Sequence, residues 1–118
     1  MNKFTLLGAF LITALSIACS KESVPEPIAC ANLNKDTVVV FNEVLISNCS
    51  KSEEATFQVV TRGESSTTAD QHSFNPDNQA THQFTSAGDF DVVITASNAS
   101  KKEEKTHVIR YPITVELN

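Results

Sequence analysis

Tryptophan is absent from this chain of 118 residues, and tyrosine occurs once, at Tyr111. Sugar-binding platforms stack apolar sugar faces on exposed Trp or Tyr. Only Phe41 and Phe74 fall near loops, so a lectin is weakly supported. Basic residues are scarce as well: 9 Lys and Arg stand against 14 Asp and Glu, a formal charge of -5. The one basic doublet, Lys101-Lys102, is followed at once by Glu103-Glu104. Nothing here could neutralise a row of phosphates, which excludes nucleic acid as a partner. Electrostatic attraction to anionic lipid is excluded on the same ground.

Chemistry is equally thin. His72, His82 and His107 are the three imidazoles, and no two of them have the close spacing of a metal-ligand pair. A calcium loop of the Asp-x-Asp-x-Asp-Gly kind is missing. Ser65, Ser66, Thr67 and Thr68 lie near Asp70 and His72, but nucleophilic catalysis needs a positioned base and an orienting group. Without a strained elbow motif, that stretch reads as a solvated loop. Glu53-Glu54 and Glu103-Glu104 read as surface charge. The expectation is a protein without enzymatic activity, metal or cofactor.

What is present starts at the N terminus. No apolar run reaches the about 20 residues that a transmembrane helix needs. The longest, residues 4–18, follows Lys3 and stops at Cys19, with polar Ser20-Lys21-Glu22 beyond. Ser16-Ile17-Ala18 suits a secretory cleavage site. With the next residue added, Ser16-Ile17-Ala18-Cys19 resembles the lipobox of bacterial lipoproteins, in a relaxed form found in the Bacteroidetes, with Ser16 where leucine is usual. That resemblance implies a cleaved signal peptide over residues 1–18 and a lipid on Cys19. It also implies a cell-envelope location as an outer-membrane lipoprotein, with periplasmic and surface-exposed placement both open. Two or more acyl chains hold a protein stably on a membrane, so the folded body need bury none of its own surface. Residues 19–27 would be the lipidated tether. They are polar, carry Pro25 and Pro27 and show no periodicity, which predicts an extended, mobile segment.

Three cysteines are an odd number for an exported protein. With Cys19 acylated, Cys30 and Cys49 remain for a disulfide in an oxidising compartment. Closing a loop of about 20 residues would contribute roughly 3 kcal/mol. Asp36-Thr37-Val38 resembles the O-glycosylation site of exported Bacteroidetes proteins, which would modify Thr37. Asn48-Cys49-Ser50 and Asn98-Ala99-Ser100 match the N-glycan acceptor pattern.

From Ile28 onward apolar residues recur at every second position, the period of a β-strand. Phe90, Val92, Ile94 and Ala96 share one face, and Asp91, Val93 and Thr95 the other. Ile109, Tyr111, Ile113, Val115 and Leu117 repeat the pattern. Pro112 sits out of phase and marks an edge strand or a bulge. Turn signals fall at Asn42-Glu43, Arg62-Gly63, Asn75-Pro76-Asp77-Asn78 and Ala87-Gly88-Asp89. Many short strands in about 90 residues predict an all-β, immunoglobulin-like two-sheet sandwich over residues 28–118. Residues 31–40 and 44–48 would form its first strand pair, pinned at the open end by the disulfide.

Residues 82–98 resemble the second half of a polycystic kidney disease (PKD) domain, which reads His-x-Tyr, a Pro-Gly turn, then Tyr-x-Val-x-Leu-x-Val-x-Asn. Phe84 and Phe90 stand for the tyrosines, Ala87 for the proline, and Gly88 holds the turn. Val44-Leu45-Ile46-Ser47-Asn48-Cys49-Ser50 looks like the family's Val-x-Phe-x-Asn-x-Ser strand. The hallmark Trp-Asp-Phe-Gly-Asp-Gly would fall on residues 57–63, where Phe57 and Val59 can take the core positions but both aspartates are gone. The resemblance implies a sandwich that makes protein–protein or protein–carbohydrate contacts. The expected function is therefore a lipid-anchored binding domain, touching an unidentified protein or glycan partner. A glycan-binding accessory lipoprotein and a structural subunit of an envelope assembly are the alternatives. The long connection 65–78, with Phe74, Asn75, Asp77 and Asn78, and the edge near Pro112 are the expected contact surfaces.

Overall fold

The structure, a computed structural model, describes residues 23–67 and 70–118. Alternation dominates the sequence, and every element among the described residues is a strand: β1 (Ala31–Leu33), β2 (Thr37–Val39), β3 (Glu43–Asn48), β4 (Glu54–Thr61), β5 (His72–Ser73), β6 (Gln79–Gln83), β7 (Gly88–Ala99) and β8 (Glu104–Glu116). They form two sheets, β1-β3-β6 and β2-β8-β7-β4-β5. The protein is an all-β, immunoglobulin-like sandwich.

The core follows from the period of two. Val92, Ile94 and Ala96 of β7, Ile113 and Val115 of β8 and Phe57 of β4 face Val44 and Ile46 of β3, with Phe84 closing one end. Ile46, Ile94, Ile113, Val44 and Val92 are among the largest fully buried side chains. Burial of each contributes roughly 1.5–3 kcal/mol. Phe57 is buried and Val59 packs against the core, as expected for residues 57 and 59.

One strand departs from expectation. Residues 31–40 do not form a single arm. β1 pairs antiparallel with β3, Ala31 opposite Asn48, whereas β2 crosses over and pairs parallel with β8, Val38 opposite Val115. The break falls at Asn34, whose side-chain oxygen accepts from Leu45 N–H at 2.9 Å and whose own N–H donates to Leu45 C=O at 3.1 Å. Held there, the chain leaves the smaller sheet and seals part of the edge of the larger one.

The outer face of the large sheet also departs from simple alternation. Gln58, Asp91 and Val93 point away from the core, yet all three are buried. The segment after β4 folds back over them. Gly63 N–H donates to Asp91 at 3.3 Å, Thr67 N–H to Gln58 at 3.0 Å, and Gln71 reaches Thr95 at 3.5 Å. Asp91 is paired there with Arg110 at 3.2 Å and Arg62 at 3.7 Å. A connection that reads as a free loop is in part a cover.

The strands run between two poles. One holds the β7–β8 hairpin, the disulfide, the Asn75–Asn78 turn and the start of the described chain. The other holds the turn at Phe41, Gly63, the turn before Gly88 and the end of β8. Twelve residues of β7 make the distance between them about 40 Å.

Candidate functional site

Each expected site residue has a definite place. Cys19 lies outside the described residues. Cys30 and Cys49 form a disulfide, with Cα atoms 4.9 Å apart. Around it Cys49 N–H donates to Cys30 C=O at 3.1 Å, and Ser50 Oγ both accepts from Cys30 N–H and donates to its carbonyl. The bridge pins the open end of β1 and β3. Thr37 is exposed at the start of β2.

Residues 24–27 correct the tether expectation. Val24 and Pro27 are buried, Pro25 C=O accepts from Asn98 at 3.0 Å, and Glu26 pairs with Lys105 at 3.3 Å. That hydrogen bond and charge raise the Lys105 pKa above its ordinary value. Proline and valine give this stretch an apolar side, which docks instead of trailing. The folded body begins four residues earlier than the sequence suggests.

Phe74, Asn75, Asp77 and Asn78 form a built turn and not a mobile loop. Asn75 Oδ1 accepts from Asp77 N–H and Gln79 N–H, both at 2.9 Å. Asn78 takes φ of 62°, a left-handed conformation that asparagine tolerates. Phe74 is half-buried, its ring 5.3 Å from that of Phe57. Of the four, Asp77 and Asn78 with Asn75 remain at the surface.

Beside this turn the sandwich gapes. An open groove of about 410 Å³ runs between β5 and β6, lined by Phe57, His72, Phe74, Ala80 and His82 among others. His72 and His82 face one another across it. Burial, and then the neighbouring His72, hold the His82 pKa below its ordinary value. Ten residues apart and on different sheets, they carry no spacing signal. Among the described residues, no group of three or more His, Cys, Asp or Glu is placed to hold a metal ion.

The third histidine has another task. His107 Nδ1 accepts from Ala29 N–H at 2.8 Å, and Tyr111 Oη accepts from Ala31 N–H at 3.1 Å. Both donors belong to the outward edge of the segment that pairs with β3. Side chains from one sheet thus cap the edge of the other.

Phe41 is the most unusual surface residue. The residue is 64% exposed while its φ is 74°, a conformation that costs a bulky residue about 1–2 kcal/mol. Hydrogen bonds impose it: Phe41 N–H donates to Phe84 C=O at 2.7 Å, and Gln83 donates to Phe41 C=O at 2.8 Å. Val40 N–H bonds Glu116 C=O at 2.9 Å, which brings exposed Leu117 to the same pole. Strain held in place at the surface is a mark of function more than of folding.

The comparisons decide little. No protein-family model matches the chain, and no curated protein is significantly similar to it.

Proposed function

We propose that this chain is a lipid-anchored, non-enzymatic interaction domain of the cell envelope, a PKD-like sandwich held on the outer membrane through Cys19. One observation carries the reading: two of the three cysteines are bridged, so the remaining one is the residue that ends the apolar leader. A disulfide in so small a domain suits an oxidising compartment. With Val24 docked, residues 20–23 alone would link lipid and body, a reach of about 14 Å. The body would sit close to the bilayer, its N-terminal pole nearest and the Phe41 pole farthest. Phe41, exposed and rigidly held, is the residue we assign to protein–protein contact, since aromatic anchors dominate interface energies.

Glycan binding is the second reading, favoured by the same exposed ring, which could stack on a sugar face. Fractionation and a glycan array separate the possibilities. The wild-type chain should partition with membranes and Cys19→Ala should be released; equal partitioning of both contradicts the anchor. An array signal that Phe41→Ala removes would replace protein contact by sugar binding.

A further inference from the structure

The two sheets treat their edges differently. On the side where both end, the small sheet's outward donors, Ala29 and Ala31, are capped by His107 and Tyr111. On that side of the large sheet the edge strand is β2, only three residues long, and beyond it β8 itself lies open. There the parity is fixed by Thr114 N–H donating to Asp36 C=O and Glu116 C=O accepting from Val40, both at 2.9 Å. Even-numbered residues of β8 therefore aim their backbone groups outward. β2 covers the strand only from Thr114 to Glu116. At Thr106, Val108 and Arg110 no backbone partner is present among the described residues. Pro112, the next in phase, has no N–H to offer and ends the open row.

An uncovered row of this kind is a template for another strand. The apolar surface matches it. Val108, at the centre of the row, is 48% exposed on the outer face, and Ile28, 52% exposed, adjoins Ala29 beside His107.

We propose that the open edge of β8 pairs antiparallel with β8 of a second copy of this chain, centred on Val108, joining the two large sheets into one. The charge pattern selects this occupant and this register. Centred on Val108, Thr106 lies opposite the second copy's Arg110, and Glu104 diagonal to it. Two residues further along, Arg110 would meet itself and Val108 would face Pro112, losing hydrogen bonds and placing like charges together. Each of the three open residues contributes one N–H and one C=O, so the copies exchange about six hydrogen bonds. The arrangement is two-fold symmetric and closes on itself. Its two β8 strands run antiparallel, and it does not depend on lipid at Cys19.

Sedimentation equilibrium of the full chain in mild detergent tests it. Wild type should reversibly form dimers as concentration rises, and Val108→Lys, which sets two like charges opposite each other, should weaken association about fivefold with an unchanged far-ultraviolet spectrum. Oxidation supplies an independent readout: Val108→Cys should cross-link as a dimer, since directly opposed residues lie about 5.5 Å apart. Thr114→Cys, under β2, and wild type should not. A chain that stays monomeric to millimolar concentration, or a Val108→Lys variant that associates like wild type, overturns the pairing. So does cross-linking through position 114 as efficient as through 108.

Discussion

Removing one oxygen, in Tyr111→Phe, should cost this fold a large part of its stability. The hydroxyl accepts from Ala31 N–H at 3.1 Å, and Ala31 is only 4% exposed. Phenylalanine keeps the ring and its packing, so the loss is confined to the hydrogen bond. A buried N–H left without a partner costs about 1–3 kcal/mol. For a domain of this size each kcal/mol lowers Tm by about 4–8 °C, so the expected fall is roughly 4–24 °C. Thermal unfolding followed by circular dichroism reads it, and faster hydrogen exchange at the Ala31 amide would place the effect. A Tm within about 1 °C of wild type would refute the claim that side chains of the large sheet cap the edge of the small one.

Replacing Cys30 and Cys49 together by alanine should lower stability by about 3 kcal/mol, read from the urea midpoint; an unchanged midpoint would show that the bridge constrains nothing. His82 is held neutral in the fold, its pKa lowered from the ordinary 6.5, so the unfolded chain binds its proton more readily. Stability is then complete above about pH 6.5 and falls as pH drops through the lowered folded value. His82→Leu should flatten that slope between pH 7.5 and 5, and an equally steep variant would contradict it. Phe41→Gly should leave stability unchanged or raise it by up to about 1 kcal/mol, because left-handed strain is relieved and little buried surface is lost. A clear destabilisation would mean that Phe41 is a packing residue and not a surface anchor.

The sandwich was legible because β7 and β8 are long and largely alternating, and a period of two needs no tertiary context. Phe84 is buried, its ring lies 5.2 Å from that of Phe90, and Gly88 takes φ of 147° at the turn. The disulfide followed from counting cysteines. The strand switch at Asn34 was not legible, since it rests on two hydrogen bonds to Leu45, distant in sequence. Residues 24–27 were misread for a related reason: two prolines and a charge signal a linker, yet docking is decided by Asn98 and Lys105 on β7 and β8. Pairs such as His72 and His82, or His107 and Ala29, exist only once the sheets are stacked. Pro112 was half legible; its sequence marks an edge, but which edge depends on how far β2 extends.

Intact-mass and peptide analysis of the processed polypeptide, purified from membranes of cells making the full chain, tests the central claim most directly. The account predicts a mature N terminus at Cys19 whose sulfur carries a diacylglycerol, with Cys30 and Cys49 oxidised in the same molecule. A processed chain with an unmodified Cys19, or one that retains residues 1–18, would contradict it.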